Sequence, residues 1–135
     1  MTDIELLRLA KAAKESAYCP YSSVAVGAAL LTEDGRVYLG ANIENAAYSP
    51  SVCAERVAFF KAISEGERKF SKIAIVGGEK NGDTVPLFSP CGVCRQGMNE
   101  FCEKDFTIIL EDSSAEAVKY NLDSLLPLGF NKNKL

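Results

Sequence analysis

Ile4, Leu7, Ala10, Ala12 and Ala13 recur at helical spacing behind a Thr2 or Asp3 cap. The pattern predicts a first helix over residues 3–17, ended by Cys19-Pro20-Tyr21. From Val24 to Thr32 the chain is β-branched and apolar, Glu33-Asp34-Gly35-Arg36 supplies a turn, and Val37 to Asn42 resumes strand character. These segments read as a hairpin. Ser49-Pro50-Ser51 offers capping oxygens and a first-turn proline to a second helix over Cys53 to Ser64, where Ala54, Val57, Ala58 and Phe60 fall at helical spacing and which Gly66 stops.

Lys72 to Gly77 and Phe106 to Leu110 are short apolar runs suited to strands covered on both faces. Between them lie a charged, Gly-containing loop, Gly78 to Thr84, and a helix opened by Ser89-Pro90 that carries Cys94, Met98 and Phe101. A short last helix is expected near Ala115 to Tyr120. Helices alternating with strands place the chain in the α/β class, as a sandwich with helices on both sides of a sheet.

At 135 residues the reading is one domain over 1–135, near the size at which an oligomer adds stability. The 15 basic residues are scattered and outnumbered by 18 acidic ones, so no nucleic-acid partner is expected. No apolar run approaches the roughly 18 residues of a membrane span, and the acidic start Met1-Thr2-Asp3-Ile4-Glu5 does not resemble a signal peptide. Five cysteines, three of them in metal-ligand spacing, fit an intracellular metal site better than a disulfide framework. The expected location is the cytoplasm.

The candidate chemistry lies in Cys53-Ala54-Glu55 and Pro90-Cys91-Gly92-Val93-Cys94. A ligand residue, x, Glu, followed later by Pro-Cys-x-x-Cys, is an established signature of zinc nucleobase deaminases, with a Cys₃ variant that a chain lacking histidine requires. Cys91 and Cys94 are three apart on an expected first helical turn, so their sulfurs share a face. Helix starts also stabilise thiolate, and Cys53 begins the other capped helix. An open fourth position on zinc takes water and lowers its pKa to about 7, with Glu55 as proton carrier.

Alternatives stand beside this reading. A closed structural knot would need Cys19 or Cys102 as fourth ligand, and Cys102 lies about 12 Å along the helix from Cys94. Cys91 to Cys94 alone imitates a thioredoxin-like pair but leaves Cys53 and Glu55 unexplained. Glu55 by itself reads equally as a helix-dipole partner, which would make the chain a noncatalytic zinc-binding interaction module.

Over nearly its whole length the sequence resembles the small homotetrameric cytidine deaminases of the Cys₃ type. The likeness is carried by Cys19-Pro20-Tyr21-Ser22, Val26-Gly27-Ala28-Ala29, Gly40-Ala41-Asn42-Ile43-Glu44-Asn45-Ala46, Cys53-Ala54-Glu55-Arg56, Ser89-Pro90-Cys91-Gly92-Val93-Cys94-Arg95-Gln96 and Leu125-Leu126-Pro127. It implies a three-layer α/β/α sandwich with a mixed, about five-stranded sheet, and one Zn²⁺ per subunit on Cys53, Cys91 and Cys94. It further implies hydrolysis of cytidine and deoxycytidine to uridine and deoxyuridine in pyrimidine salvage, with zinc hydroxide attacking C4. Glu55 takes the water proton, protonates N3 and assists ammonia departure. Asn42 and Glu44 hold the ribose hydroxyls, Ala54 and Glu55 read the base edge, and the Ser89 backbone approaches the exocyclic amine. Arg56 bonds the ligand sulfurs, offsetting a centre whose thiolates and carboxylate outweigh the zinc charge. Phe130 reaches a neighbouring subunit's site, so active sites are completed in the tetramer.

One position departs from the family pattern. Val24 stands where Tyr-Ser-x-Phe-x-Val-Gly carries phenylalanine packed against the nucleoside. A missing aromatic wall weakens pyrimidine binding by about a kcal/mol or leaves room for a bulkier substrate. The runner-up is therefore a deaminase of a modified cytosine nucleoside such as blasticidin S.

Overall fold

In the computed structural model, which describes residues 1–135, helix α1 spans Asp3–Lys14. Its start is a reciprocal cap: the Glu5 amide donates to the Thr2 hydroxyl (3.2 Å) and the Thr2 amide to the Glu5 carboxylate (2.8 Å). The helix stops three residues before the expected end. Lys14 is buried there, and its ammonium donates to the carbonyls of Glu79 and Gly82, both at 3.0 Å, tying the helix end to the sheet.

The strands are β1 Val24–Thr32, β2 Val37–Ala41, β3 Phe70–Glu79, β4 Thr107–Glu111 and β5 Ala117–Asn121. They form one sheet in the order β2-β1-β3-β4-β5. All neighbours are antiparallel except β3 and β4, which run parallel and therefore need a crossover. Helix α3, Gly92–Phe101, supplies it. Helix α2, Ala54–Ser64, connects β2 to β3, and a single turn, α4, covers Leu122–Leu125.

The helix expected near Ala115 to Tyr120 is instead strand β5. Asp112 Oδ1 accepts from the amides of Ser114 (2.8 Å) and Glu116 (3.0 Å), and this turn reverses the chain so that Ala117 to Asn121 pairs back along β4. Pairing with an otherwise open sheet edge overrides the helical propensity of Ala-Glu-Ala-Val-Lys-Tyr.

The sheet is covered on both sides. On one face Leu6, Leu7 and Ala10 of α1 pack on Ala29, Leu31, Ala74, Val76 and Ile109. On the other, Ala54, Ala58, Phe59 and Ala62 of α2 and Cys94 and Met98 of α3 pack on Ala28, Leu30, Ile73, Ile75, Ile108 and Leu110. Alternate residues of β1 and β3 thus feed two cores, the period-2 rule applied to a strand with no wet face. Within α2 the buried ring is Phe59, stacked on Phe101 and meeting Phe70 edge-on and Phe106 at a tilt, while Phe60 is half exposed.

Gly40 sets how closely α2 meets the sheet. A Cβ there would lie 2.2 Å from the Ala54 carbonyl oxygen and 2.7 Å from the Ala58 amide nitrogen, so the first turn of α2 rests on β2 backbone. Gly40→Ala is expected to lower unfolding free energy by about 1–3 kcal/mol, the usual cost of overpacking, and a urea titration against the unmodified chain checks it.

Candidate active site

Two helices begin at one place. Cys53 is the extended N-cap residue of α2 and Cys91 that of α3, while Cys94 lies in the first turn of α3. Neither cap sulfur accepts from a backbone amide of its own helix, leaving both free to point outward at a shared centre. The helix starting at Gly92 corrects the expectation that Cys91 already lay on the first turn. Ser51 is likewise no cap: its hydroxyl accepts from the Asn45 amide at 2.9 Å.

The Sγ atoms of Cys53, Cys91 and Cys94 all lie within 4.8 Å of one another, and those of Cys53 and Cys91 are 3.7 Å apart. Zn–S bonds of about 2.3 Å in tetrahedral arrangement place sulfurs about 3.8 Å apart, so the donor set fits zinc. Cys19, buried with Ala17 and Ala25, and Cys102, packed against the larger core, stand outside this cluster. A closed four-cysteine knot therefore has no fourth sulfur here.

The electrostatics favour thiolate at Cys53. The Cys53 thiol is held down to about 5, first by a hydrogen bond from Cys94 and also by Arg56, whose Nη2 donates to Sγ at 3.4 Å. The same pairing and burial push the Cys94 thiol up. Glu55, at the second position of α2, is only 4% exposed, and its Oε1 has no hydrogen-bond partner. Burial raises its carboxyl to about 7, the poise expected of a proton carrier near neutral pH.

Cys53, Glu55, Arg56 and Cys91 line a cavity of roughly 410 Å³ together with Asn42, Glu44 and Ser89, a size suited to a small molecule. Asn42 and Glu44, two apart on extended chain, both face it. Each is also tied to the neighbouring backbone. Asn42 Oδ1 accepts from the Val26 amide and its Nδ2 donates to the Val24 carbonyl, both at 2.8 Å, leaving one N–H and one lone pair. Glu44 Oε1 accepts from the amides of Tyr21 (3.0 Å) and Ser22 (3.1 Å), and Oε2 accepts from the Ser22 hydroxyl. These bonds, that from the Ser22 hydroxyl foremost, hold the Glu44 carboxyl below the usual range.

Three expected contacts are not among the residues lining the cavity. Val24 is partly exposed at the start of β1, and Ala54 is wholly buried under the first turn of α2. Phe130 is exposed, its carbonyl accepting from Gln96 Nε2 (2.7 Å) and Asn99 Nδ2 (2.9 Å) on α3. Sequence reasoning missed Val26, Val52 and Phe88, which do line it. Val26 was signalled by strand period, two residues along the same face from Val24. Phe88 was signalled by Gly77, where any Cβ would stand 2.5 Å from its ring.

Three thiolates gathered at two helix starts beside a buried, unpaired carboxyl define a zinc-dependent enzyme site. The sequence profile of the cytidine and deoxycytidylate deaminase zinc-binding region matches residues 1–110, and the chain belongs to that family. It is 47% identical to the cytidine deaminase of Sporosarcina psychrophila over 98% of this chain and 95% of that one. The crystal structure of cytidine deaminase from Burkholderia pseudomallei superposes with a TM-score of 0.87 at 42% identity, covering 96% of this chain and all of that one. A blasticidin-S deaminase from Bacillus cereus is 30% identical over 80% of this chain and 78% of its own.

Asn42→Ala would leave the Val26 amide and Val24 carbonyl without their partners. It is expected to cost about 1–3 kcal/mol of stability with no ligand present, read as a lowered denaturation midpoint.

Proposed function

We propose that this chain is a zinc-dependent deaminase that hydrolyses cytidine and deoxycytidine to uridine and deoxyuridine with release of ammonia, as one catalytic domain over residues 1–135. The observation that carries the reading is the buried Glu55 carboxyl, with one oxygen unpaired, on the same small cavity as Cys53 and Cys91, whose sulfurs cluster with that of the buried Cys94. Zinc held by the three thiolates would supply the Lewis acidity that makes water a nucleophile at neutral pH. Glu55 takes the proton of the attacking water, delivers it to N3 of the base, and then assists departure of the C4 amine. A carboxyl already desolvated and unpaired is free for both transfers. Arg56 moderates the negative charge through its bond to Cys53. The remaining N–H and lone pair of Asn42 and the anchored Glu44 carboxylate meet the sugar hydroxyls at the other side of the cavity. The Ser89 backbone, on the cavity wall, faces the leaving amine.

A second reading is favoured by Val24. A small side chain at the start of β1, where the Val24 carbonyl accepts from Asn42 Nδ2, puts no aromatic wall beside Asn42, which suits a bulkier cytosine nucleoside such as blasticidin S. One experiment separates the readings and tests the first. Zinc-loaded protein is followed by ultraviolet absorbance on cytidine, deoxycytidine and blasticidin S, with Glu55→Gln alongside. Cytidine turnover should dominate and fall by about 10²–10⁴-fold in the variant while zinc is retained. A large preference for the antibiotic reverses the ranking, and no turnover on any of the three leaves the interaction-module reading.

The proposal extends to a homotetramer acting in pyrimidine salvage in the cytoplasm. Its support is the apolar surface of α2, α3 and the tail, where Phe60, Val93, Leu128 and Phe130 are exposed, and a Phe130 ring that does not line the cysteine cavity of its own chain. Free thiols at the metal site call for a reducing compartment. Light scattering should give a mass four times that of the chain; a monomer at micromolar concentration would remove Phe130 from the site.

A further inference from the structure

Of the three sulfurs, that of Cys91 is the least enclosed. Cys94 is buried and Cys53 half-buried, whereas Cys91 is exposed at the end of a loop. What fixes that loop is Arg95. Its backbone amide donates to the Cys91 carbonyl at 3.0 Å, and its side-chain Nε donates to the Pro90 carbonyl at 2.8 Å, bracketing Cys91 from both sides. The other arm of the same guanidinium, Nη1, donates to the Leu125 carbonyl at the end of α4 at 2.7 Å. Pro90 is fully buried and has no N–H with which to anchor itself, so its carbonyl depends on this donor. Leu125 is the last residue of a four-residue helix, whose terminal carbonyls have no partner within it.

We infer that Arg95 is a positioning residue for the metal: its planar fork clamps the Cys91 loop to the C-terminal segment and so holds the exposed ligand in place. The inference rests on the reading of Cys53, Cys91 and Cys94 as zinc ligands. Arg95 touches neither substrate nor sulfur; it acts through the backbone on either side of Cys91. Lysine keeps the charge but cannot serve two carbonyls in fixed directions. Asn99 and Gln96 also fasten the tail to α3, but through Phe130 and without contact to Pro90, so they separate tail docking from loop clamping.

The test is the rate of zinc release to a chromogenic chelator from full-length, zinc-loaded protein, measured for the unmodified chain, Arg95→Met, Arg95→Lys and Asn99→Ala. Arg95→Met should release zinc about 10–100-fold faster, the range typical of groups that orient metal ligands, Arg95→Lys should lie between, and Asn99→Ala should match the unmodified chain. A folded Arg95→Met with an unchanged release rate overturns the inference. So does an Asn99→Ala variant that speeds release as much as Arg95→Met. If Arg95→Met does not fold, Arg95→Lys decides, and its unchanged release overturns the clamp. An unmodified chain that purifies without zinc and takes none up overturns the ligand reading and the clamp with it.

Discussion

The site depends on two helices having to begin at the same point in space. Cys53 and Cys91 are both N-cap residues, so their sulfurs stand where unpaired amides and the positive ends of two helix dipoles meet. Everything that places those two starts is therefore part of the site. Gly40 lets α2 rest directly on β2, and the parallel step from β3 to β4 requires the crossover that lays α3 on the same face as α2. Cys94 and Ala54 belong at once to the hydrophobic core and to the first turns that carry the chemistry. Packing and ligand geometry cannot be varied independently.

That arrangement also answers an electrostatic difficulty. Three thiolates exceed the charge of one divalent cation, and an ionised Glu55 would add to the excess. The helix starts and the Arg56 guanidinium bring positive potential to one edge of the cluster, while burial keeps Glu55 reluctant to ionise. The carboxyl is thereby spared the surface pairing that an acidic residue in a first helical turn normally finds. Its orphaned oxygen is costly to the fold and useful to proton transfer, the usual sign that a buried polar group is retained for function.

The layers and the metal cluster were legible in the sequence because they are written in local signals: helical spacing in α1, the continuous apolar run of β1 with the turn that leads to β2, and Cys-x-x-Cys spacing at a helix start. What was not legible is decided by partners distant in the chain. Ala115 to Tyr120 has helical composition, yet the exposed edge of β4 makes it a strand. Phe59 and Phe60 are adjacent and identical, and only the position of Phe70 and Phe106 selects which is buried. The end of α1 is set by a buried Lys14 reaching β3, a contact across sixty-five residues that no local cap announces.

The Asn42 and Glu44 side of the cavity is governed by a different pattern of hydrogen bonds from the cysteine side. Asn42 and Glu44 do not wait as free polar groups; each already satisfies backbone donors or acceptors at the start of β1 and in the turn before it. Their orientation is fixed before any ligand arrives, and a ligand meets only the valences left over. Such preorganisation limits the loss of side-chain freedom on binding and makes recognition sensitive to where hydroxyls stand rather than to how many there are. The same bonds fix the backbone of Val24 beside Asn42. Polar groups held this rigidly specify recognition by position, whereas the apolar lining of Val26, Val52 and Phe88 makes no such directional demand.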